Sequence, residues 1–198
     1  RRFREWLDAA RAGAVEWQTL VPETAESGVP VLRILPDRSV LSTSDISKSD
    51  VYTVTGSAPV AGIAAVRLEV LPDPSLPAGG PGRVYYEGPA GDFFLSTFRL
   101  KAGGVDVPIA SASHSFAAGN NSAANAIDDD PQSGWSIHGG QGQRHVAVFT
   151  LGEPLPGAPG LQVEMLCEKY YAAGIGRFRL SVTADPDAGE ATGHPDEI

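Results

Sequence analysis

Short runs of alternating apolar and polar residues, separated by turn residues, recur along most of this 198-residue chain. Such runs are typical of β-strands, because successive side chains of a strand point to opposite faces of the sheet. Glycine and proline are spread between the runs, which favours a turn-rich β protein over a disordered one. The nine predicted strands lie within residues 29–35, 39–44, 50–56, 64–71, 93–102, 109–116, 144–151, 161–171 and 176–184.

The alternation predicts an all-β fold, a two-sheet antiparallel sandwich with jelly-roll connections. In residues 64–71, Val66, Leu68 and Val70 are expected to face the core, while Arg67 and Glu69 face solvent. Residues 144–151 are apolar at successive positions, so both faces of that strand are expected to be covered. With 42% hydrophobic residues, the chain can bury one sizeable core.

The ends of the chain differ in composition from its middle. Phe3, Trp6 and Ala10 recur at helical spacing, so residues 1–16 are expected to form a leader helix from a preceding segment. Residues 17–184 would form the sandwich, and the acidic residues 185–198 a flexible linker. Because the chain begins at Arg1 without an initiator methionine, we expect it to be a piece of a longer protein.

Composition excludes several classes of partner and site. The formal net charge of -9 disfavours nucleic acid and anionic membranes, and no run approaches the ~20 apolar residues that membrane insertion needs. The single cysteine, Cys167, permits no internal disulfide and is expected to be a buried thiol. No H-E-x-x-H, G-x-S-x-G or C-x-x-C-H motif occurs, so we expect no enzymatic activity. The isolated domain is expected to be monomeric.

The acidic stretch NAIDDDPQSGWSI, residues 125–137, predicts a calcium-type loop that opens a strand. Asp128 and Asp130 offer carboxylates at alternate positions, and Asn125 and Ser133 offer further oxygen atoms. Calcium takes several oxygen ligands at once, which such a loop can supply. The alternative is an acidic Asx turn that holds no metal.

Two loops carry candidate ligand-binding residues. The long loop of residues 71–92 is rich in proline and glycine, and a loop of this length inside a compact domain is usually functional or disordered. Its aromatic and guanidinium groups can stack on sugar rings and donate hydrogen bonds, although one tyrosine could instead plug the end of the sandwich. The second is the glycine-rich GGQGQ loop, which could equally be a solvated hairpin. The candidates are Arg83, Tyr85, Tyr86, His138, Arg144 and His145.

Several strings give the chain a resemblance to a known module: the W-x-x-L-x-P pattern from Trp17, VRLEVLPDPSLPAGGPGR, FFLSTFRL, AIDDDPQSGW and IGRFRLSVT. From Trp17 to Ala184 it resembles a module of large multidomain planctomycete proteins that combine a cytochrome c-like domain with planctomycete-specific domains. The resemblance implies neighbouring domains in the same polypeptide. It also implies a periplasmic, extracellular or cell-surface location.

A second resemblance rests on the pattern A-x-D-x-D-x-x-x-x-W, which ends at Trp135. It is similar to the loop of discoidin-type and galactose-binding jelly-roll modules, in which this loop holds calcium and neighbouring loops bind glycans. The resemblance implies a structural calcium ion with Trp135 packed behind it. There are two departures: Asp129 replaces the usual glycine, and the last strand supplies no acid. Three acids elsewhere could complete the site: Glu69, Asp92 and Glu164.

These observations leave three functions open. The first is a non-catalytic carbohydrate-binding-like module of a larger secreted or cell-surface protein, with polysaccharide or another glycan as its partner. The second is a structural module that packs against neighbouring domains and binds no glycan. The third is a hydrolase, which would need a pair of acids inside a cleft.

Overall fold

The computed structural model describes residues 15–85, 88–157 and 160–192, which form two antiparallel β-sheets packed as a sandwich. This confirms the predicted all-β fold and is consistent with a jelly roll. The leader helix predicted for residues 1–16 lies, for residues 1–14, outside the described residues. The strands are β1 (Gln18–Thr19), β2 (Val21–Glu26), β3 (Val31–Ile34), β4 (Val40–Thr43), β5 (Asp50–Ser57), β6 (Ile63–Val70), β7 (Phe94–Leu95), β8 (Thr97–Ala102), β9 (Val105–Val107), β10 (Ile109–His114), β11 (Trp135–Ser136), β12 (His145–Leu155), β13 (Leu161–Cys167) and β14 (Arg177–Thr183).

The first sheet has the strand order β10-β12-β6-β14-β4-β3, and β1 also pairs with β14. The second sheet has the order β2-β5-β13-β8-β9. A separate two-stranded ladder joins β7 to β11, with Trp135 opposite Leu95 and Ser136 opposite Phe94. Two short 3-10 helices, Pro77–Gly79 and Ala123–Ile127, lie in the connections.

Aromatic pairs join the two sheets across the core. Phe98 of β8 stacks on Phe149 of β12 with ring centroids 3.7 Å apart, and Tyr52 of β5 stacks on Phe178 of β14 at 6.2 Å. All four side chains are at most 2% exposed. Each pair draws one ring from each sheet, so these contacts help to fix how the sheets face each other.

Each of the nine predicted strand segments overlaps at least one observed strand, but some of the predicted boundaries differ from the observed ones. The segment 161–171 ends as a strand at Cys167, and residues 168–171 turn away from the sheet. Strands β2 and β9 were not predicted. Both lie at an edge of the second sheet, where burial does not impose an alternating pattern.

The outer face of β6 differs from the prediction. Arg67 and Glu69 were expected to face solvent, yet their exposed fractions are 5% and 0%. Trp17 covers this face, since its ring lies 4.8 Å from the guanidinium carbon of Arg67. Ala188 and Ala191, from the segment interpreted as a flexible linker, pack beside it against an apolar cluster. The sequence pattern of β6 could not reveal that its polar face is covered by residues near the beginning and near the end of the described chain.

Three arginines compensate the buried charge of Glu69. Arg179 Nε lies 2.9 Å from Oε2, Arg144 donates to Oε1 at 2.7 and 2.9 Å, and Arg67 approaches Oε2 at 3.4 Å. Burial by itself raises the pKa of the Glu69 carboxyl, but the hydrogen bonds and charges of these arginines outweigh it, so the pKa lies below its ordinary value. Glu69 is therefore a structural anion on the outer face of the first sheet.

Candidate functional site

An open cleft of about 670 Å³ lies beside the β7–β11 ladder. Its size is within the range of small-molecule sites in proteins. Four parts of the chain contribute to its walls: Val84 with residues 92–94, and residues 118–121, 136–138 and 170–173. The lining residues are Val84, Asp92, Phe93, Phe94, Ala118, Gly119, Asn121, Ser136, His138, Tyr170, Tyr171 and Ala173.

Backbone hydrogen bonds to the small ladder hold the walls in place. The N–H of Phe94 donates to the carbonyl of Ala173 at 2.9 Å, which fixes the segment 170–173 on one side. On the other side, Ala118 N–H donates to the carbonyl of Ser136 at 2.8 Å. The cleft is therefore built on β7 and β11, and its shape does not depend on side-chain contacts alone.

Two glycines permit the close packing beneath the cleft. A side chain at Gly134, just before β11, would collide with the carbonyl oxygen of Leu95 on β7. A side chain at Gly82 would collide with the backbone of Asp92. Because the obstacles are backbone atoms that cannot rotate away, only glycine fits at these positions.

One wall of the cleft is aromatic. The side chains of Tyr170 and Tyr171 are 64% and 63% exposed, and Tyr170 packs edge-on against Phe94 with ring centroids 5.4 Å apart. Tyr170 and Ala172 adopt φ of 65° and 56°, a region that residues other than glycine seldom enter. Two large rings held in solvent by an uncommon backbone conformation are a candidate binding platform.

The opposite wall is polar. His138 Nδ1 lies 3.1 Å from Asp92 Oδ2, and the side chain of His138 is 75% exposed whereas that of Asp92 is 16% exposed. Asn121 and Ser136 add an amide and a hydroxyl to the lining. An aromatic platform facing a few convergent polar groups is an arrangement that binds small polar molecules with an apolar face.

The structure brings His138 into this cleft, whereas the other described candidates are not part of its lining: Arg83, Tyr85, Arg144 and His145. Arg83 donates to the hydroxyl of Ser42 at 3.0 Å and to the carbonyls of Thr43, Ser44 and Asp45 at 2.5 to 3.3 Å, which ties the long loop to the chain after β4.

Of the two predicted tyrosines of the long loop, the structure describes Tyr85, which does not line the cleft. Tyr85 is 64% exposed, but its neighbour Val84 lines the cleft instead. Tyr86 lies outside the described residues.

The other two candidates also have structural partners. Arg144 is bonded to Glu69, as described above. His145 is 6% exposed, its Nε2 lies 2.6 Å from the carbonyl oxygen of Gly140, and its ring stacks on Phe116 at 5.0 Å. The GGQGQ loop nevertheless meets the long loop, since Gly142 N–H donates to the carbonyl of Gly80 at 2.6 Å. The contact between the two loops is thus a hydrogen bond between backbone groups, and it does not involve the predicted side chains.

Sequence reasoning missed Tyr170 and Tyr171 because it extended a strand through them. In LQVEMLC the buried residues alternate with half-buried ones, and continuing that alternation would bury Tyr171, which is exposed. Residues 169–174, with the sequence KYYAAG, could have signalled a turn through their terminal glycine. Asp92 was considered only as a metal ligand.

The predicted metal loop brings its oxygen atoms together. Ser133 Oγ lies 2.5 Å from Asp128 Oδ2, and 3.2 Å from both the carbonyl oxygen of Asn125 and that of Asp130. The loop also contains two Asx turns, because Asp128 Oδ1 accepts from Asp130 N–H and Asp130 Oδ1 accepts from Gln132 N–H, each at 2.9 Å. Asp129 occupies the left-handed region with φ of 63° and pairs with Arg99 at 3.0 Å.

The kinds of oxygen that surround the Ser133 hydroxyl, a carboxylate and two carbonyls, are ones that calcium takes as ligands. Asp130 would contribute its carbonyl, while its carboxylate holds the turn. Among the described residues, no group of three or more His, Cys, Asp and Glu side chains is placed to hold a metal. The three additional acids are engaged elsewhere: Glu69 with arginines, Asp92 with His138 and Glu164 with Lys101 at 2.9 Å.

A second depression, of about 370 Å³, lies between β8, β9 and the 3-10 helix Ala123–Ile127. Its lining includes Arg99 and Asp129, which are paired with each other. No aromatic ring is exposed in its lining, since Phe98 is 2% exposed. The cleft beside β7 and β11 is therefore the stronger candidate site.

Comparison with known proteins adds no relative to this description. The chain matches no protein-family model, and a search of curated proteins finds no similar sequence. In the part of the chain that the structure describes, no helix is long and apolar enough to cross a membrane.

Proposed function

We propose that this domain binds carbohydrate without catalysis, with the cleft beside β7 and β11 as the ligand site. The observation that carries the proposal is the pair of exposed rings, Tyr170 and Tyr171, on one wall of a cleft whose other wall is polar. A pyranose ring has an apolar face that stacks on tyrosine and an equatorial rim of hydroxyls that needs hydrogen-bond partners. The cleft supplies both kinds of contact.

Binding is favoured over hydrolysis by the acids available in the cleft. Glycoside hydrolysis generally uses two carboxylates on either side of the bond that breaks. Asp92 is the one carboxylate among the described residues that line the cleft. Its partner there is His138, so the arrangement supports recognition of a sugar better than acid and base catalysis.

The proposal includes a structural calcium ion in the loop of residues 125–133. Asn125, Asp128, Asp130 and Ser133 would hold it, and the loop leads through Gly134 into β11, where Ser136 lines the cleft. An ion there would stabilise the wall indirectly and would not contact the ligand. The proposal also includes a periplasmic, extracellular or cell-surface location, which the resemblance of the sequence implies and where polysaccharide is accessible.

The test is a glycan array probed with the 198-residue chain, once with calcium and once with a chelator, followed by titration of the glycans that bind. The variant Tyr171→Ala should weaken binding roughly 5- to 30-fold, the equivalent of about 1–2 kcal/mol for one stacking ring. Tyr85→Ala is the matched control, because Tyr85 is equally exposed but does not line the cleft. Equal losses in the two variants would remove the cleft as the site.

A second candidate function is an interdomain structural role. It is favoured by three exposed valines at one corner of the sandwich: Val29, Val31 and Val51 are 49%, 48% and 44% exposed. Val29 and Val51 lie close together, because Val29 N–H donates to the carboxylate of Asp50 at 3.0 Å. A folded sample that binds no glycan in either condition would favour this role over carbohydrate binding.

A further inference from the structure

The carboxylate of Asp92 has one oxygen with a partner and one without. Oδ2 lies 3.1 Å from His138 Nδ1, whereas Oδ1 is buried and has no hydrogen-bond partner among the described residues. An acceptor buried without a donor is costly, and folded proteins seldom retain one without a reason. Since Asp92 lines the cleft, a donor for Oδ1 can come from a molecule that enters there.

The histidine beside it offers a second acceptor. An ionised carboxylate can only accept hydrogen bonds, so His138 Nδ1 carries the proton that is shared with Asp92. In the neutral ring, Nε2 is then an acceptor, and the 75% exposure of the side chain leaves this atom open to a ligand. Both atoms, Asp92 Oδ1 and His138 Nε2, can therefore accept a hydrogen bond from a ligand.

We infer that Asp92 and His138 read two neighbouring hydroxyl groups, and that the ligand of the cleft is a neutral pyranose with a free vicinal diol. The inference rests on the proposed function and adds the class of sugar to it. A hydroxyl group can donate to Asp92 Oδ1 and another to His138 Nε2, while the sugar face packs on the tyrosine wall. Because Oδ1 is buried, this contact requires a movement of the surrounding side chains.

The same pair disfavours acidic sugars. A uronate or a sulfate ester would bring a negative charge beside the Asp92 carboxylate and would leave Oδ1 without a donor. Lys169 lies beside the platform, with its ammonium 5.1 Å from the centre of the Phe94 ring and 5.4 Å from that of Tyr170. It is not part of the lining, and it lies on the aromatic side, away from the groups that select the ligand.

The experiment is a titration of the 198-residue chain with methyl hexopyranosides, their singly deoxygenated analogues and the matching methyl uronates, followed by NMR or calorimetry. The wild type should bind at least one neutral glycoside and should discriminate at least 10-fold against the analogue that lacks the hydroxyl read by Asp92. This measurement requires no variant, so it is independent of any effect of mutation on folding.

The variant Asp92→Asn tests the assignment of that hydroxyl. It should bind the parent glycoside about 10- to 100-fold more weakly than the wild type, as expected for loss of a hydrogen bond to a charged group. It should bind the deoxygenated analogue as weakly as the wild type does, because both changes remove the same contact. Asp106→Asn, an exposed aspartate of β9, is the control and should leave binding unchanged.

Several outcomes would overturn the inference. Tight binding by Asp92→Asn, or additive losses from the variant and the analogue, would show that Asp92 does not read the hydroxyl. Preference for uronates would contradict the neutral class. If these outcomes accompanied a loss of binding in Tyr171→Ala, the proposed function would stand and only the inference would fail. Absence of binding to every neutral and acidic glycan would refute both.

Discussion

Replacing Glu69 by glutamine should destabilise the domain strongly. The side chain is 0% exposed and accepts hydrogen bonds from Arg144 and Arg179, with Arg67 a further 3.4 Å contact. Glutamine keeps the shape of the side chain but removes the negative charge that faces the three guanidinium groups. Breaking a buried charge pair in this way costs about 3–5 kcal/mol. For a domain of this size, that corresponds to a melting temperature lower by roughly 6–20 °C.

The measurement is urea denaturation of the wild type and Glu69→Gln at neutral pH, with Glu153→Gln as the matched control. Glu153 is exposed on β12, in the same sheet, so its replacement should change the free energy of unfolding by less than about 0.5 kcal/mol. A loss below about 1 kcal/mol for Glu69→Gln would refute the reasoning. It would mean that the cost of removing these charges from water already cancels their attraction.

The dependence of stability on pH gives an independent check of the same charge. Because the pKa of Glu69 is lowered from its ordinary value of 4.5 in the folded protein, its stabilisation is complete above that value. The stabilisation is lost as the pH falls through the lower pKa of the folded state. The wild type should therefore lose stability more steeply in acid than Glu69→Gln. Some acid sensitivity should remain in the variant, because the pKa values of Asp37 and Asp73 are lowered as well.

Two further predictions concern the metal loop and the thiol. Calcium should raise the melting temperature of the wild type, and a chelator should reverse the rise. At a calcium concentration 100 times the dissociation constant, the gain in free energy of unfolding is about 2.7 kcal/mol. Asp128→Ala should abolish this response and Asp129→Asn should keep it; indifference of the wild type to calcium and chelator would refute the metal site. Burial raises the pKa of Cys167 to about 12, so a thiol reagent at pH 8 should label it only in denaturant. Fast labelling of the folded protein would contradict its buried position.

The sandwich could be predicted because most of its strands are constrained on at least one face. In β13, Leu161, Val163, Met165 and Cys167 are buried and their neighbours are half-buried, which is the pattern that identifies a strand. Strand β2, with the sequence VPETAE, was missed because it lies at a sheet edge and is mostly exposed. The burial of Glu69 was missed for a different reason, since two of its arginine partners, Arg144 and Arg179, come from distant parts of the sequence.

The cleft could be predicted only in part, because it is made where four separate segments meet. His138 was found from the composition of its own loop. The residues that complete the site are set by pairings that no local pattern shows: β7 joins Ala173 on one side and β11 on the other. Since the walls are positioned through backbone hydrogen bonds, the side chains that point into the cleft are little constrained by the fold. The tyrosine pair and Asp92, on which the proposed binding depends, are therefore the residues to test first.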